Sequence, residues 1–292
     1  MESWVRRFFF GSDGIRAGWR ALLFVLIVVA FAAVESAVLR HFVPPGYHPS
    51  VLPVSVGLAI ECAQLLPVVV ATAIMARFEG KRLSSYGYEG KSRGVYLVSG
   101  LVWGFAAFSA LIFVLKTAGL LVFEGEQLHG GAILKYALGW GLMFLMAAAF
   151  EESALRGYLQ FTLKRGMGFW WAALLLSVVF ALGHLVNAGE NPVGIVGVIA
   201  VGLMLCLSLW YTGSLWWAVG CHASWDWAES YVYGASDSGL RIQGHLFGSH
   251  PAGPVLWSGG TAGPEGSLLT FAVPALLSLG MWFWWGRGRS YK

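Results

Sequence analysis

Three short stretches of the 292-residue chain set acids, a base and imidazoles inside otherwise apolar sequence. They are Phe150-Glu151-Glu152-Ser153-Ala154-Leu155-Arg156-Gly157, Phe180-Ala181-Leu182-Gly183-His184 and His222-Ala223-Ser224-Trp225-Asp226. On a helix, Glu152 and Arg156 stand at i, i+4 with the acid N-terminal to the base, the favourable order for an ion pair. A desolvated guanidinium forks onto such a carboxylate and holds it ionised. Glu151 points ~100° round the helix from Glu152 and is left without that partner, available as a general base. His222 and Asp226, also at i, i+4, share a face. A carboxylate and an imidazole can activate water while a second imidazole and its polar neighbour hold an oxyanion, the groups needed for amide hydrolysis. The same four residues, Glu151, His184, His222 and Asp226, are a nitrogen and oxygen ligand set for a divalent metal such as zinc with an open water position. The chain has no H-E-x-x-H, so a zincin site is not indicated. Cys221 and His222 are sequence neighbours and diverge by ~100° on a helix, which sets aside a thiolate–imidazole pair.

The elements that carry these groups follow from composition. Hydrophobic residues make up 57% of the chain and charged residues 12%, against ~25% charged in soluble domains. A mean hydropathy of +0.67 agrees. The expectation is an all-α, polytopic membrane protein embedded in a lipid bilayer. A transmembrane β-barrel would need ~10-residue alternating segments, which the apolar runs do not show. The net charge of +4 comes from short loops with no basic stripe, so nucleic acid is not a partner. Cys62, Cys206 and Cys221 lie within apolar runs without C-x-x-C spacing and read as small buried hydrophobes.

Runs long enough to span, ~20 residues each, fall at about 19–39, 51–76, 94–121, 133–160, 168–188, 192–211, 213–230 and 267–285. The uncharged stretch from Pro192 to Cys221 is split at Tyr211-Thr212-Gly213-Ser214, a turn signal. The first run exceeds the ~7–15-residue core of a cleaved signal peptide and reads as an uncleaved span. Segments 1–20, 77–93, 155–168 and 286–292 hold 15 of the 19 lysines and arginines. Arg40, Lys116, Lys135 and Arg241 fall on the alternate side, with His41, His48, His129, His245 and His250. This asymmetry places both termini in the cytoplasm and requires an even number of spans, here eight. Segment 77–93 reads as a topology anchor facing anionic lipid headgroups. The outer loop 231–266, rich in Gly, Ser and Pro, is either a functional cover or a mobile segment. Trp19, Trp216, Trp217, Trp282, Trp284 and Trp285 suit an interfacial belt.

Each ionisable group inside a span is a functional hypothesis by default. Glu35 and Glu61 stand singly, each near a span end or beside a polar neighbour, Ser36 and Gln64, and read as groups that hydrogen-bond between helices or sit near the interface. The three motif groups differ. Counted from the turns at Gly168 and Gly213, Glu151 and His184 sit ~20–30 Å and His222 and Asp226 ~14–20 Å into the membrane, so tilt can bring them into one layer. A proton- or ion-coupled relay through Glu151, Glu152, His184 and Asp226 is the transporter reading, but the two halves of the chain show no matched broken helices.

At these motifs the chain resembles the type II CAAX prenyl endopeptidase family, also called the CPBP or abortive-infection intramembrane proteases. Its E-E-x-x-x-R pattern is similar to Glu151-Glu152-Ser153-Ala154-Leu155-Arg156, followed by Gly157, Tyr158 and Leu159. F-x-x-x-H is similar to Phe180 to His184, and H-x-x-x-N or H-x-x-x-D to His222 to Asp226. The resemblance covers about residues 147–230, with a softer match at Leu83-Ser84-Ser85-Tyr86-Gly87-Tyr88. It implies an eight-span helical fold with an N-terminal part (1–130, spans one to three and the basic loop) and a protease core (131–292, spans four to eight). It further implies that Glu151 is the base, assisted by His184, that Glu152 and Arg156 are the supporting ion pair, and that His222 and residue 226 line an oxyanion site. Asp226 departs from the Asn of eukaryotic members. An ionised Asp cannot donate a hydrogen bond, so it must be protonated, orient His222 or bind metal. The implied activity is hydrolysis of a membrane-bound peptide or protein, CAAX-type prenylated C termini included, in a bacterial plasma membrane or a eukaryotic ER membrane. A non-catalytic scaffold or bacteriocin self-immunity protein of the same fold is the competing reading.

Overall fold

In a computed structural model, which describes residues 4–12, 14–39, 51–187 and 189–287, the long apolar runs are helices. A short helix α1 (Trp4–Phe9) and a tight hairpin of β1 (Phe10–Gly11) and β2 (Gly14–Ile15) precede α2 (Ala17–Leu39). Then come α3 (Val54–Phe78), α4 (Arg93–Thr117) and β3 (Leu121–Glu126). The motif-bearing part is α5 (Gly131–Glu152), α6 (Gln160–Met167), α7 (Phe169–His184), α8 (Pro192–Thr212) and α9 (Trp216–Asp226). It is closed by β4 (Phe247–Pro251), α10 (Val255–Ser258) and α11 (Ala272–Met281). The outer loop 40–50 with Arg40, His41 and His48, and the basic residues Arg289 and Lys292, lie outside the described residues.

Among the described residues six helical stretches are long and apolar enough to cross a membrane, and α7 is a shorter apolar helix. With α9 they account for eight. Val34, Phe113 and Leu138, on α2, α4 and α5, are roughly two-thirds exposed. Large apolar side chains turned outward around the whole bundle suit lipid rather than water. α9 differs because it is buried along its length, from Trp217 to Asp226. A helix surrounded by other helices can carry His222 and Asp226 inside the membrane because its neighbours, not lipid, meet them.

The close packing around α9 is set by small residues. A Cβ at Gly100 would collide with the carbonyl oxygen of Trp217, one at Gly104 with that of Cys221, and one at Gly220 with that of Leu97. Without them α4 and α9 approach backbone to backbone, the small-residue packing expected between membrane helices. Gly213, with φ +67°, ends α8 in the left-handed conformation and makes the sharp turn into α9, as the Tyr211–Ser214 signal predicts.

Two helices widen into π-helical turns at their motifs: Ser153–Leu159 begins inside the first motif and carries Arg156, and Trp227–Val232 directly follows the third. In the first, Gly157 leaves helical geometry with ψ −119°. Such turns recur at functional sites because they re-aim side chains locally.

The basic ends of α2, α3 and α6 meet. Glu79 accepts a hydrogen bond from Tyr158 (2.8 Å), pairs with Lys81 at 2.9 Å and lies 3.7 Å from both Arg20 and Arg165. Burial alone would raise the Glu79 carboxyl; the hydrogen bonds from Lys81 and Tyr158 and the Lys81 and Arg20 charges outweigh it and hold the group below the usual carboxylate range. The 77–93 segment is therefore tied into the bundle as well as basic. Within it, Tyr88 reaches Ser153 of the first motif with its hydroxyl (2.6 Å).

At the opposite end β3 pairs antiparallel with β4, Leu121 opposite Pro251 and Glu126 opposite Phe247. This ribbon and the turns around it order the loop 231–266, which folds over the bundle as a cover. Two residues depart from the sequence reading: Trp217 is buried in the core beside Trp285 rather than interfacial, and Cys62 is exposed while Cys206 and Cys221 are buried.

Candidate active site

A cavity of about 600 Å³ lies between α3, α5, α7, α8 and α9 and is covered by the 231–266 loop. Glu151, His184, His222 and Asp226 all line it. The carboxylates end α5, His184 ends α7, and His222 and Asp226 occupy one face of α9, so three helix segments converge on one space.

Arg156 and Glu152 form the buried pair. Arg156 Nη1 donates to Glu152 Oε1 at 2.9 Å, and neither side chain is exposed. The guanidinium lies over the Phe180 ring at 4.9 Å. On its other side a Cβ at Gly202 would come within 2.8 Å of Nη2, so only glycine leaves room for the arginine there. Glu151 is not drawn into this pair and keeps 29% of its side chain exposed to the cavity.

His222 is the hub. Its Nδ1 lies 3.1 Å from Glu152 Oε1, and its Nε2 lies 3.4 Å from Glu151 Oε2 and 3.5 Å from Asp226 Oδ2. Protonated at both nitrogens, the ring donates toward carboxylates on both sides. Arg156 is thereby linked to the cavity through Glu152 and His222.

His184 is held differently. Its Nδ1 lies 3.0 Å from Phe180 O, and its ring stands edge-on to the Phe180 ring at 4.6 Å. A proton on Nδ1 satisfies that carbonyl and leaves the Nε2 lone pair for the cavity. Phe180 thus separates Arg156 from His184. The imidazole within contact distance of Glu151 is His222, while His184, which the resemblance makes the assistant of Glu151, lines the same cavity.

Three cavity acids escaped the motif analysis. Glu61, buried on α3, lines the cavity with Gln64 donating to it at 3.4 Å, instead of bridging two helices. Its i, i+3 spacing from Gln64 was the available signal. Asp237 and Glu265 come from the covering loop. Burial pushes both carboxyls up; neighbouring carboxylates, Asp226 foremost, add to the shift at Asp237, while His184 opposes it at Glu265. Glu229, fully buried, follows Asp226 by three residues on the same helical run.

Among the described residues, the lining contains Glu61, Glu151, Asp226, Asp237 and Glu265 but no lysine or arginine. Zinc held by Glu151, His184, His222 and Asp226 would need four ligand atoms around one point. Among the described residues the convergence within 4.8 Å is instead Asp226, Asp237 and Glu265, an all-carboxylate set that suits a hard cation rather than zinc.

Residues 133–228 match the family described as Type II CAAX prenyl endopeptidase Rce1-like. The matched segment runs from the start of α5 past Asp226 and contains all three motifs; Glu61, Asp237 and Glu265 lie outside it. No curated protein matches the chain.

Proposed function

We propose, from the premise that residues 133–228 belong to the Rce1-like type II CAAX prenyl endopeptidase family, that the protein is an intramembrane endopeptidase with Glu151 as its base. The observation that carries the reading is the position of Glu151: free of Arg156, exposed to a membrane-enclosed cavity and 3.4 Å from His222.

Glu151 takes a proton from water, and the hydroxide oxygen bonds to the scissile carbonyl carbon as the carbonyl π pair moves onto oxygen. His222 Nε2–H donates to that oxyanion, and the Nε2 of His184 accepts from the attacking water. Collapse of the tetrahedral intermediate breaks the C–N bond, and the proton held by Glu151 passes to the leaving nitrogen. Glu152 and Arg156 fix the His222 ring from its Nδ1 side. Asp226, 3.5 Å from Nε2, orients the ring rather than donating to the oxyanion.

The substrate is a membrane-associated peptide or protein, with CAAX-type prenylated C termini as the first class to try. The end of the bundle that gathers Arg20, Lys81 and Arg165 faces the cytoplasm, as the distribution of positive charge requires. The test is cleavage, by purified protein in detergent, of a quenched farnesylated CAAX peptide and of the same peptide without the lipid. Turnover of the lipidated peptide alone assigns CAAX processing, and equal turnover of both assigns a peptidase indifferent to prenylation. No turnover of either, together with a cellular phenotype that survives Glu151→Gln, would overturn the enzymatic reading in favour of a scaffold or self-immunity protein.

A further inference from the structure

We propose that Asp226, Asp237 and Glu265 bind a divalent cation of the calcium or manganese type on the outer wall of the cavity. One carboxylate oxygen from each residue lies within 4.8 Å of the others. Oxygens on opposite sides of a calcium ion stand ~4.6–5.2 Å apart, twice the Ca–O length, so the spacing accommodates one ion between them. The donor set is entirely oxygen, which selects hard cations over zinc.

The ligands are held in place from outside the set. Trp225 Nε1 donates to Glu265 Oε1 at 2.7 Å and Ser238 Oγ to Glu265 Oε2 at 3.1 Å, leaving each oxygen a further lone pair. Asp237 opens a tight turn closed by Leu240 N–H to Asp237 O at 2.7 Å. Gly239 N–H, donating to Ala262 O at 3.2 Å, ties that turn to the segment carrying Glu265. Hydrogen-bonded carboxylates of this kind are the usual supports of a metal site.

Glu229 points independently to a cation. It is fully buried, and neither of its carboxylate oxygens has a hydrogen-bond partner. Trp225 spends its only N–H on Glu265. Glu229 Oε1 lies 3.3 Å from where a Cβ of Gly263 would stand, against the turn that leads to Glu265, and it interacts electrostatically with Glu265, Asp237 and Asp226. A buried, unpartnered acid behind three converging carboxylates, beside a cavity with no lysine or arginine among its described lining residues, leaves most of the local negative charge uncompensated unless a cation enters or protons are retained. Of the histidines facing the cluster, His184 is held at Phe180, and His222 is shared among Glu151, Glu152 and Asp226, so a single imidazole meets one of the three carboxylates and leaves Asp237 and Glu265 to the cation.

The site couples the cover to the core. Asp237 and Glu265 belong to the 231–266 loop and Asp226 to α9, so an ion among them pins the loop over the cavity. This inference does not depend on peptidase activity.

The experiment is direct binding of Mn²⁺ to EDTA-stripped, purified full-length protein in detergent, read from the loss of the free-ion electron paramagnetic resonance signal and competed with Ca²⁺. The expected result is one Mn²⁺ per chain, displaced by Ca²⁺, with affinity lowered at least tenfold in both Asp237→Asn and Glu265→Gln and kept in Glu151→Gln. Wild-type melting temperature should rise with Ca²⁺, and both loop variants should melt with wild type in EDTA and lose the rise. Absence of Mn²⁺ binding by wild type at neutral pH would overturn the site in favour of carboxylates sharing protons. So would binding that survives both loop substitutions, or zinc binding abolished by His222→Ala and not by Asp237→Asn.

Discussion

Removing Arg156 tests the buried relay behind His222. Arg156 and Glu152 are both without exposure, and one contact of 2.9 Å joins them. Arg156→Ala leaves the Glu152 carboxylate inside the bundle with His222, 3.1 Å away, as its remaining partner. Breaking a buried pair from one side costs ~3–5 kcal/mol, because the surviving charge loses its compensation. The arginine Nε and Nη2 and the glutamate Oε2 have no hydrogen-bond partners, so the native pair is not fully satisfied. His222 also offsets part of the stranded charge. Both points place the expected loss near the lower bound, ~3 kcal/mol, even with the Phe180 ring contact included. At ~1.4 kcal/mol per decade this is roughly a hundredfold shift in the folded-to-unfolded ratio. The assay is reversible unfolding of purified protein in mixed detergent–SDS micelles, with Glu152→Gln/Arg156→Met run beside the single variant. Removing both charges strands neither, so the double variant should regain at least half of the lost stability. A cost for Arg156→Ala under ~1 kcal/mol, the range of an exposed pair, would refute the reasoning, as would a double variant less stable than the single one.

The Glu79 cluster gives a pH-dependent counterpart. Because the folded carboxyl is held below its unfolded value of ~4.3, its contribution is complete above that pH and is lost as pH falls through the lowered folded value. Glu79→Gln should therefore melt below wild type at pH 7, and the gap should close as pH falls below ~4; a constant gap would contradict the assignment. Gly104→Val should lower stability by ~1–3 kcal/mol and depress activity through α9, because its Cβ meets the Cys221 carbonyl beside His222. Gly94→Ala, with open space at its Cβ, should stay within ~0.5 kcal/mol of wild type.

Much of this architecture is legible from local sequence. Apolar run length gives the helices, and Tyr211–Ser214 gives the break between α8 and α9 that sets the depth of His222. Spacing alone pairs Glu152 with Arg156 and leaves Glu151 apart, since both features depend on helical rotation over a few residues. What spacing does not give is the choice of imidazole beside Glu151. His184 and His222 lie on different helices, and Phe180 between them turns His184 toward its own backbone. Asp237 and Glu265 are less accessible still, because they sit in a loop without periodicity whose fold over the cavity depends on contacts distant in the chain. Glu229 was within reach, three residues after Asp226. The widening of both motif helices into π turns has no signal in the apolar pattern.

The most direct test of the central claim is peptide hydrolysis by wild type and Glu151→Gln reconstituted side by side in liposomes, with folding of both checked by melting temperature. The account predicts turnover by wild type and a ~10²–10⁴-fold lower rate in Glu151→Gln at unchanged stability, the usual range for a general base. Equal turnover by the two proteins would contradict it.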